Sequence, residues 1–169
     1  MADLTDPREW LEDVEGDAPL EWVRERNAHA LQAIGEPSEK PLYSRLLKIL
    51  DSSEKIPYIG RVLNGLYYNF WEDETHVRGI WRRCTLDEYR KQEPAWETVL
   101  DVDALGEADG VSWVWAGSTV LDEGPGVRTD RVILSLSRGG SDATVAREFD
   151  LDKKAFVPAA EQVSRGAGA

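Results

Sequence analysis

Apolar positions repeat with a helical period over the first fifty residues and with a strand-like period after Asp51. Leu20, Val23, Ala30, Leu31 and Ile34 fall near one helical face, while Glu21, Arg24, Glu25 and Arg26 lie toward water. This predicts a helix that starts at Asp17, carries Pro19 in its first turn and stops at Gly35. A shorter helix carrying Trp10 and Leu11 is expected before it, because Asp6, Pro7 and Glu9 stand as an N-cap, a first-turn proline and a capping-box partner. A third helix, opened by Ser38, has Leu42, Leu46, Ile49 and Leu50 as its apolar face.

Beyond Asp51, segments 58–63, 66–71, 79–86, 112–116 and 131–137 are short, rich in aromatic and β-branched residues, and bounded by Gly, Asn or Asp. They read as strands of antiparallel hairpins. Asn64-Gly65 is the strongest hairpin signal, since a type I′ turn needs positive φ at both central residues. Gly139-Gly140 is a second. Segment 96–105 reads as closing one run of strands and segment 146–156 the next, so that Asp101 and Asp103 recur as Asp150 and Asp152, 49 positions on in both cases. Upstream, 66–71 and 113–118 fall at comparable places.

A repeat of about 50 residues, built from four short strands, has the size of one β-propeller blade. The expected fold is mainly β with an N-terminal helical segment, the β part being a partial propeller of about two four-stranded antiparallel blades. Blades stack face to face with large side chains filling the wedge between them, which gives the concentration of Trp81, Tyr89 and Trp96 a purpose. An isolated antiparallel sheet with a half-buried aromatic face is the other reading of the same pattern. The expected organisation is a helical lead-in over 1–54, two blades over 55–157 and a disordered tail over 158–169, where small and polar residues carry no period.

Composition narrows the partners. The 169 residues are 41% hydrophobic and 31% charged, which describes a globular chain, and the formal charge of −12 opposes both nucleic acid and an anionic membrane surface. Cys84 is the lone cysteine, so an intramolecular disulfide and a cysteine zinc site are excluded. The start has no charged-then-apolar leader, and no apolar run approaches the roughly 18 residues of a membrane span, so cytoplasmic residence is expected.

Four features resemble chemical sites. Ser137-Arg-Gly-Gly-Ser-Asp could cradle a phosphate, but Thr144 onward reads as strand rather than the helix such a loop needs, which favours a hairpin turn. Glu72-Asp-Glu-Thr-His76 gathers three carboxylates and an imidazole, yet lacks the spacing of a calcium loop and reads as a solvated turn. The pairs Asp101/Asp103 and Asp150/Asp152 suit turn capping better than acid–base work. Cys84, beside Arg82 and Arg83, reads as a small core residue rather than an activated thiol. His29 and His76 are the chain's two imidazoles; neither has an identifiable partner, and no Gly-x-Ser-x-Gly elbow is present. No catalytic, cofactor-binding or metal-ligating residue is assigned, and no cofactor is expected.

Several of these runs also carry a family likeness. Asp6-Pro-Arg-Glu-Trp-Leu-Glu-Asp-Val-Glu-Gly-Asp, Glu21-Trp-Val-Arg-Glu-Arg-Asn, Arg45-Leu-Leu-Lys-Ile-Leu-Asp-Ser and Ile56-Pro-Tyr come first, followed by Tyr67-Tyr-Asn-Phe-Trp, Arg78-Gly-Ile-Trp-Arg-Arg, Leu86-Asp-Glu-Tyr-Arg, Trp96-Glu-Thr-Val-Leu-Asp-Val-Asp, Ser135-Leu-Ser-Arg-Gly-Gly and Arg147-Glu-Phe-Asp-Leu. In this fixed order they resemble the amino-terminal region of prolyl oligopeptidase family serine peptidases. The resemblance implies a helical lead-in, a seven-bladed propeller that screens out large substrates, and a separate α/β-hydrolase domain holding Ser, Asp and His. After Phe156 and Val157 the chain departs from the family's Gly-Phe and Leu-Pro-Glu-Ala-Lys type continuation, which raises the expectation of a truncated reading frame. The functional expectation is a fragment of a peptidase that cleaves short peptides, often after proline, inactive alone and meeting peptide substrate only within the whole enzyme. The alternative is a non-enzymatic interaction module, with self-association through open strand edges.

Overall fold

A computed structural model describes residues 6–13, 15–120 and 126–158. The chain divides into two compact units, Met1–Leu50 and Asp51–Ala169. The first is helical. A four-residue 3-10 helix, Glu9–Glu12, follows Asp6, whose Oδ1 accepts the Arg8 N–H at 2.8 Å. Helix α1 runs Asp17–Ile34 and ends where Gly35, at φ 77°, turns its N–H back to the Leu31 carbonyl. The Trp10 and Trp22 rings meet edge to face at 6.3 Å. Helix α2 spans Pro41–Leu50. Ser38 does not open it: Ser38 sits inside a separate 3-10 turn, Pro37–Glu39, which Glu36 caps, because the proline at 41 supplies the preset φ of a helix start.

The second unit consists of two four-stranded antiparallel sheets with sequential strand order. Sheet one contains β1 (Arg61–Leu63), β2 (Leu66–Trp71), β3 (Ile80–Thr85) and β4 (Glu97–Asp101). One-turn helix α3 (Leu86–Tyr89) joins β3 to the segment before β4, its first turn capped by the Thr85 hydroxyl, which accepts the Glu88 N–H. Helix α4 (Val102–Asp109) follows β4, and sheet two contains β5 (Trp113–Val120), β6 (Arg131–Arg138), β7 (Thr144–Asp150) and β8 (Ala155–Phe156). The Asn64-Gly65 hairpin forms as expected, with φ of 52° and 77°.

Residues facing each other across paired strands share a face, so Tyr68 with Arg83 and Phe70 with Trp81 point one way from sheet one. That side meets sheet two. Trp81 and Trp115 approach to 5.4 Å, Phe70 and Trp115 stack at 5.0 Å, and Trp81 meets Phe149 edge to face at 6.3 Å. Val132, Leu134, Leu136 and Phe149 are fully buried beneath them. Burial of one such side chain stabilises by about 1.5–3 kcal/mol, so this wedge is the main cohesive element of the unit.

Four further expectations need correction. Of Trp81, Tyr89 and Trp96 only Trp81 enters the wedge between the sheets, whereas Tyr89 stacks on Tyr67 and Trp96 meets Arg82 on the other face of sheet one. Residues 102–105 are helical rather than strand, because the Asp101 carboxylate accepts the Ala104 N–H at 2.9 Å and turns the chain at the end of β4. Leu86 belongs to α3, not to β3. The 49-residue recurrence does not join equivalent places: Asp101 ends the fourth strand of sheet one, whereas Asp150 ends the third strand of sheet two, and segments 66–71 and 113–118 lie on a second and a first strand. Unequal connections put the two sheets out of step in sequence: β1 and β2 are joined by a two-residue turn, β5 and β6 by a long one. The expected tail, 158–169, lies outside the described residues but for Pro158.

Candidate functional site

Strands β1 and β5 are the first strand of each sheet, and among the described residues each pairs with a strand on one side only. Between them lies a cleft of about 220 Å³ lined by Gly60, Arg61, Tyr68, Phe70, Trp81, Trp115 and Ser118. Arg61 Nη2 donates to the Ser118 carbonyl at 3.4 Å, a long contact across the mouth of the cleft. A β-bulge between Trp115 and Gly117 turns the Trp115 ring into it, where it stacks on Phe70.

Deeper in the seam, Arg83 ties the sheets together. Its Nη1 donates to the Leu151 carbonyl at 3.0 Å and to the Tyr68 hydroxyl at 3.1 Å, while its Nε donates to Glu97 at 2.7 Å. Burial disfavours the guanidinium charge, but Glu97 and Tyr68 outweigh it and hold Arg83 above the ordinary arginine range. At the tip of the first hairpin the Asn64 amide donates to the Thr129 carbonyl and accepts the Thr129 N–H.

The features singled out in the sequence are dispersed. In the Glu72–His76 run, Asp73 is the centre of a closed turn: Oδ1 accepts the N–H groups of Thr75 and His76 and the Thr75 hydroxyl, His76 Nδ1 lies 2.9 Å from it, and Oδ2 accepts the Trp71 indole N–H. Burial opposes its ionisation; the hydrogen bonds from Thr75, Trp71 and His76 prevail and hold the carboxyl well below the usual range. Asp101 caps α4, and Asp103 accepts the Arg78 N–H with both oxygens. Asp150 accepts the N–H groups of Asp152 and Lys153, and Asp152 takes a two-pronged contact from Arg128. The four carboxylates are thus engaged in turns and ion pairs.

Ser137 lies inside β6, and after the Gly139-Gly140 turn the chain enters β7 at Thr144, a strand rather than the helix a phosphate loop needs. Cys84 is buried, and burial together with Glu88 pushes its thiol up despite Arg82, the opposite of activation. His29 is exposed on α1. Among the described residues no group of three or more His, Cys, Asp or Glu side chains is placed to hold a metal ion, and no helix is long and apolar enough to cross a membrane.

Two four-stranded sheets in sequential antiparallel order, stacked through an aromatic wedge, define part of a β-propeller. The chain belongs to the prolyl oligopeptidase family: the profile of that family's N-terminal β-propeller domain matches residues 2–167. It is 40% identical over 159 residues to an uncharacterized peptidase, y4nA, of Sinorhizobium fredii, covering 92% of this chain and 21% of the relative. It is 34% identical to an uncharacterized peptidase, RP174, of Rickettsia prowazekii, again spanning 21% of that protein. Among solved structures it superposes on a post-proline cleaving enzyme from Rickettsia typhi with a TM-score of 0.76 at 33% identity, covering 90% of this chain and 22% of that one. The chain therefore spans about a fifth of the length of the relatives it matches.

Proposed function

We propose that the chain forms the amino-terminal part of a serine peptidase of this family that hydrolyses short peptides, often after proline, and that these 169 residues do not cleave peptides alone. The observation that supports this reading is the likeness to a post-proline cleaving enzyme over 90% of the chain. In that role the helices are the lead-in, the two sheets are the opening blades, and the β1–β5 cleft faces the passage by which peptide reaches the reacting groups. Acyl transfer needs a nucleophile, a base and an oxyanion hole. The sequence holds no nucleophile elbow.

Two assays test the proposal. The purified chain is expected to leave a proline-containing chromogenic peptide intact, and hydrolysis with contaminants excluded would refute its inactivity. Replacing the first two blades of the Rickettsia typhi enzyme with residues 55–157 should preserve post-proline cleavage. Loss of cleavage in a folded chimaera would refute the assignment of these sheets as blades of such an enzyme.

A second reading rests on β5, an eight-residue strand whose outer edge has no strand partner among the described residues. Such an edge can pair with another chain, giving an interaction module that self-associates by strand addition. Sedimentation of the purified chain as a concentration-independent monomer would count against it.

A further inference from the structure

The two strands that flank the cleft carry one charged side chain between them. β1 reads Arg61-Val-Leu and β5 reads Trp113-Val-Trp-Ala-Gly-Ser-Thr-Val, so Arg61 is the single ionisable residue on either. No carboxylate lines the cleft that they enclose. In a chain of formal charge −12, a wall bare of acids with one cation at its mouth is a distinct electrostatic surface.

Arg61 is exposed and uncommitted. Among the described residues its guanidinium has no acidic partner, and its one hydrogen bond is the 3.4 Å contact from Nη2 to the Ser118 carbonyl. Arg83, Arg128, Arg131 and Arg147 of the same unit each lie 2.6 to 3.5 Å from a carboxylate. A guanidinium has five N–H donors in a planar fork, so most of those on Arg61 are left for a ligand, in the geometry that a carboxylate accepts in pairs. The rest of the cleft suits the apolar part of a peptide. Arg61 lies opposite Tyr68 in the β1–β2 pairing and therefore on the face that meets sheet two, the same side as the stacked rings of Phe70 and Trp115. Trp115 is only partly buried, which leaves ring surface open to the cleft. Gly60 keeps the mouth wide, since a Cβ there would meet no heavy atom within 4 Å. At about 220 Å³ the cleft is smaller than a whole small-molecule site and fits one portion of a peptide.

We propose, building on the reading of this cleft as part of the substrate passage, that it is a subsite for a peptide carboxylate, held on Arg61 with the adjoining apolar residue against Phe70 and Trp115. Peptides that carry an acidic group are then the preferred class. Both walls of the cleft belong to this chain, so binding is measured on the purified protein. Acetyl-Ala-Pro-amide is the neutral probe, and acetyl-Ala-Pro with a free carboxyl terminus and succinyl-Ala-Pro-amide carry a carboxylate at opposite ends. The readout is NMR of the seven assigned indole N–H signals. At least one acid should shift Trp115 saturably, leave Trp96 in place, and bind about threefold to fivefold more tightly than the neutral probe, the value of one partly screened ion pair. The acid that does so identifies which end of the peptide meets Arg61. Its advantage should shrink in about 0.5 M salt and vanish in Arg61→Gln, while Arg61→Lys should retain part of it. Gly60→Leu, at a position with space for a side chain, should narrow the mouth and weaken all three probes. Equal binding of acids and amide, an advantage that survives Arg61→Gln, or no shift of Trp115 at millimolar acid would overturn the proposal. Loss of post-proline cleavage in the folded chimaera, with selective binding intact, would instead count against the peptidase reading alone.

Discussion

The indole rings of Trp81 and Trp115 lie 5.4 Å apart, centroid to centroid, at 38° to one another, and they are the closest aromatic pair joining the two sheets after Phe70 and Trp115. Trp81 is also in contact with Tyr68 and Phe149, so it is the shared member of three ring pairs. Trp81→Ala should cost about 3–5 kcal/mol, and Trp115→Ala less, because Trp115 is only partly buried. A double-mutant cycle in urea should return a coupling of about 0.5–1.5 kcal/mol between them. Additive losses would mean that the two rings are not energetically coupled across the seam.

Asn64 performs two tasks that separate by substitution. Its φ of 52° serves the hairpin, and its amide bridges to both backbone groups of Thr129. Asn64→Gly keeps the turn and loses the bridge, and should cost about 1–2 kcal/mol. Asn64→Ala adds the left-handed penalty and should cost about 1–2 kcal/mol more. Denaturant midpoints of the two variants measure the difference; equal midpoints would show that the turn imposes no strain.

Much of this architecture was legible in the chain because it rests on local signals. Asn64-Gly65, the aromatic run of β2 and the face of α1 each declare an element within a few residues. The short helix α4 was hidden because Val102-Asp-Ala-Leu suits a strand as well, and its decisive bond is the Asp101 side chain rather than any periodicity. The span from Asp101 to the left-handed Gly110 was the available signal. The meeting of Arg82 with the Trp71 and Trp96 rings, 4.2 and 4.5 Å from its guanidinium, could not be read at all, since the three sit on different strands or their approaches and meet only through register. The α2 apolar face was visible, yet Leu42, Leu46, Ile49 and Leu50 are 50–68% exposed among the described residues.

Asp73 makes the fold pH-sensitive on the acid side. An unfolded Asp titrates near 4, and the native carboxyl titrates lower, so its contribution is fully present above about pH 4 and is lost as pH falls through the native value. Asp73→Asn should therefore lower stability by about 1–3 kcal/mol at pH 7, and the gap from the parent protein should narrow progressively as pH falls below about 4. Urea unfolding at a series of pH values checks it; a gap independent of pH would assign the loss to shape rather than charge.

Cys84 should be inert in the native protein. It is 5% exposed and its thiol is raised by burial and by Glu88, so a thiol reagent at neutral pH should label it only after denaturation. Rapid labelling of the folded chain would show that β3 opens locally.

Arg83 serves hydrogen bonding more than ion pairing. Its partner Glu97 is half-exposed, with a side-chain accessibility of 49%, against 11% for Arg83 itself. A pair with one open member is screened by water and salt, and Glu97→Gln should cost no more than about 1 kcal/mol. The Leu151 carbonyl is different, because Leu151 is 1% exposed and Arg83 supplies its side-chain donor across the seam. Arg83→Met leaves that carbonyl and the Tyr68 hydroxyl without this partner and should cost about 1–3 kcal/mol. Arg83→Lys keeps the charge but cannot reach Glu97, Tyr68 and Leu151 from three directions at once, so it should recover less than half of the loss. The decisive measurement is the same comparison in 1 M salt. A surface pair would fade there, whereas a deficit rooted in an unsatisfied buried carbonyl should persist unchanged, and its disappearance would return the residue to the role of an ordinary ion pair.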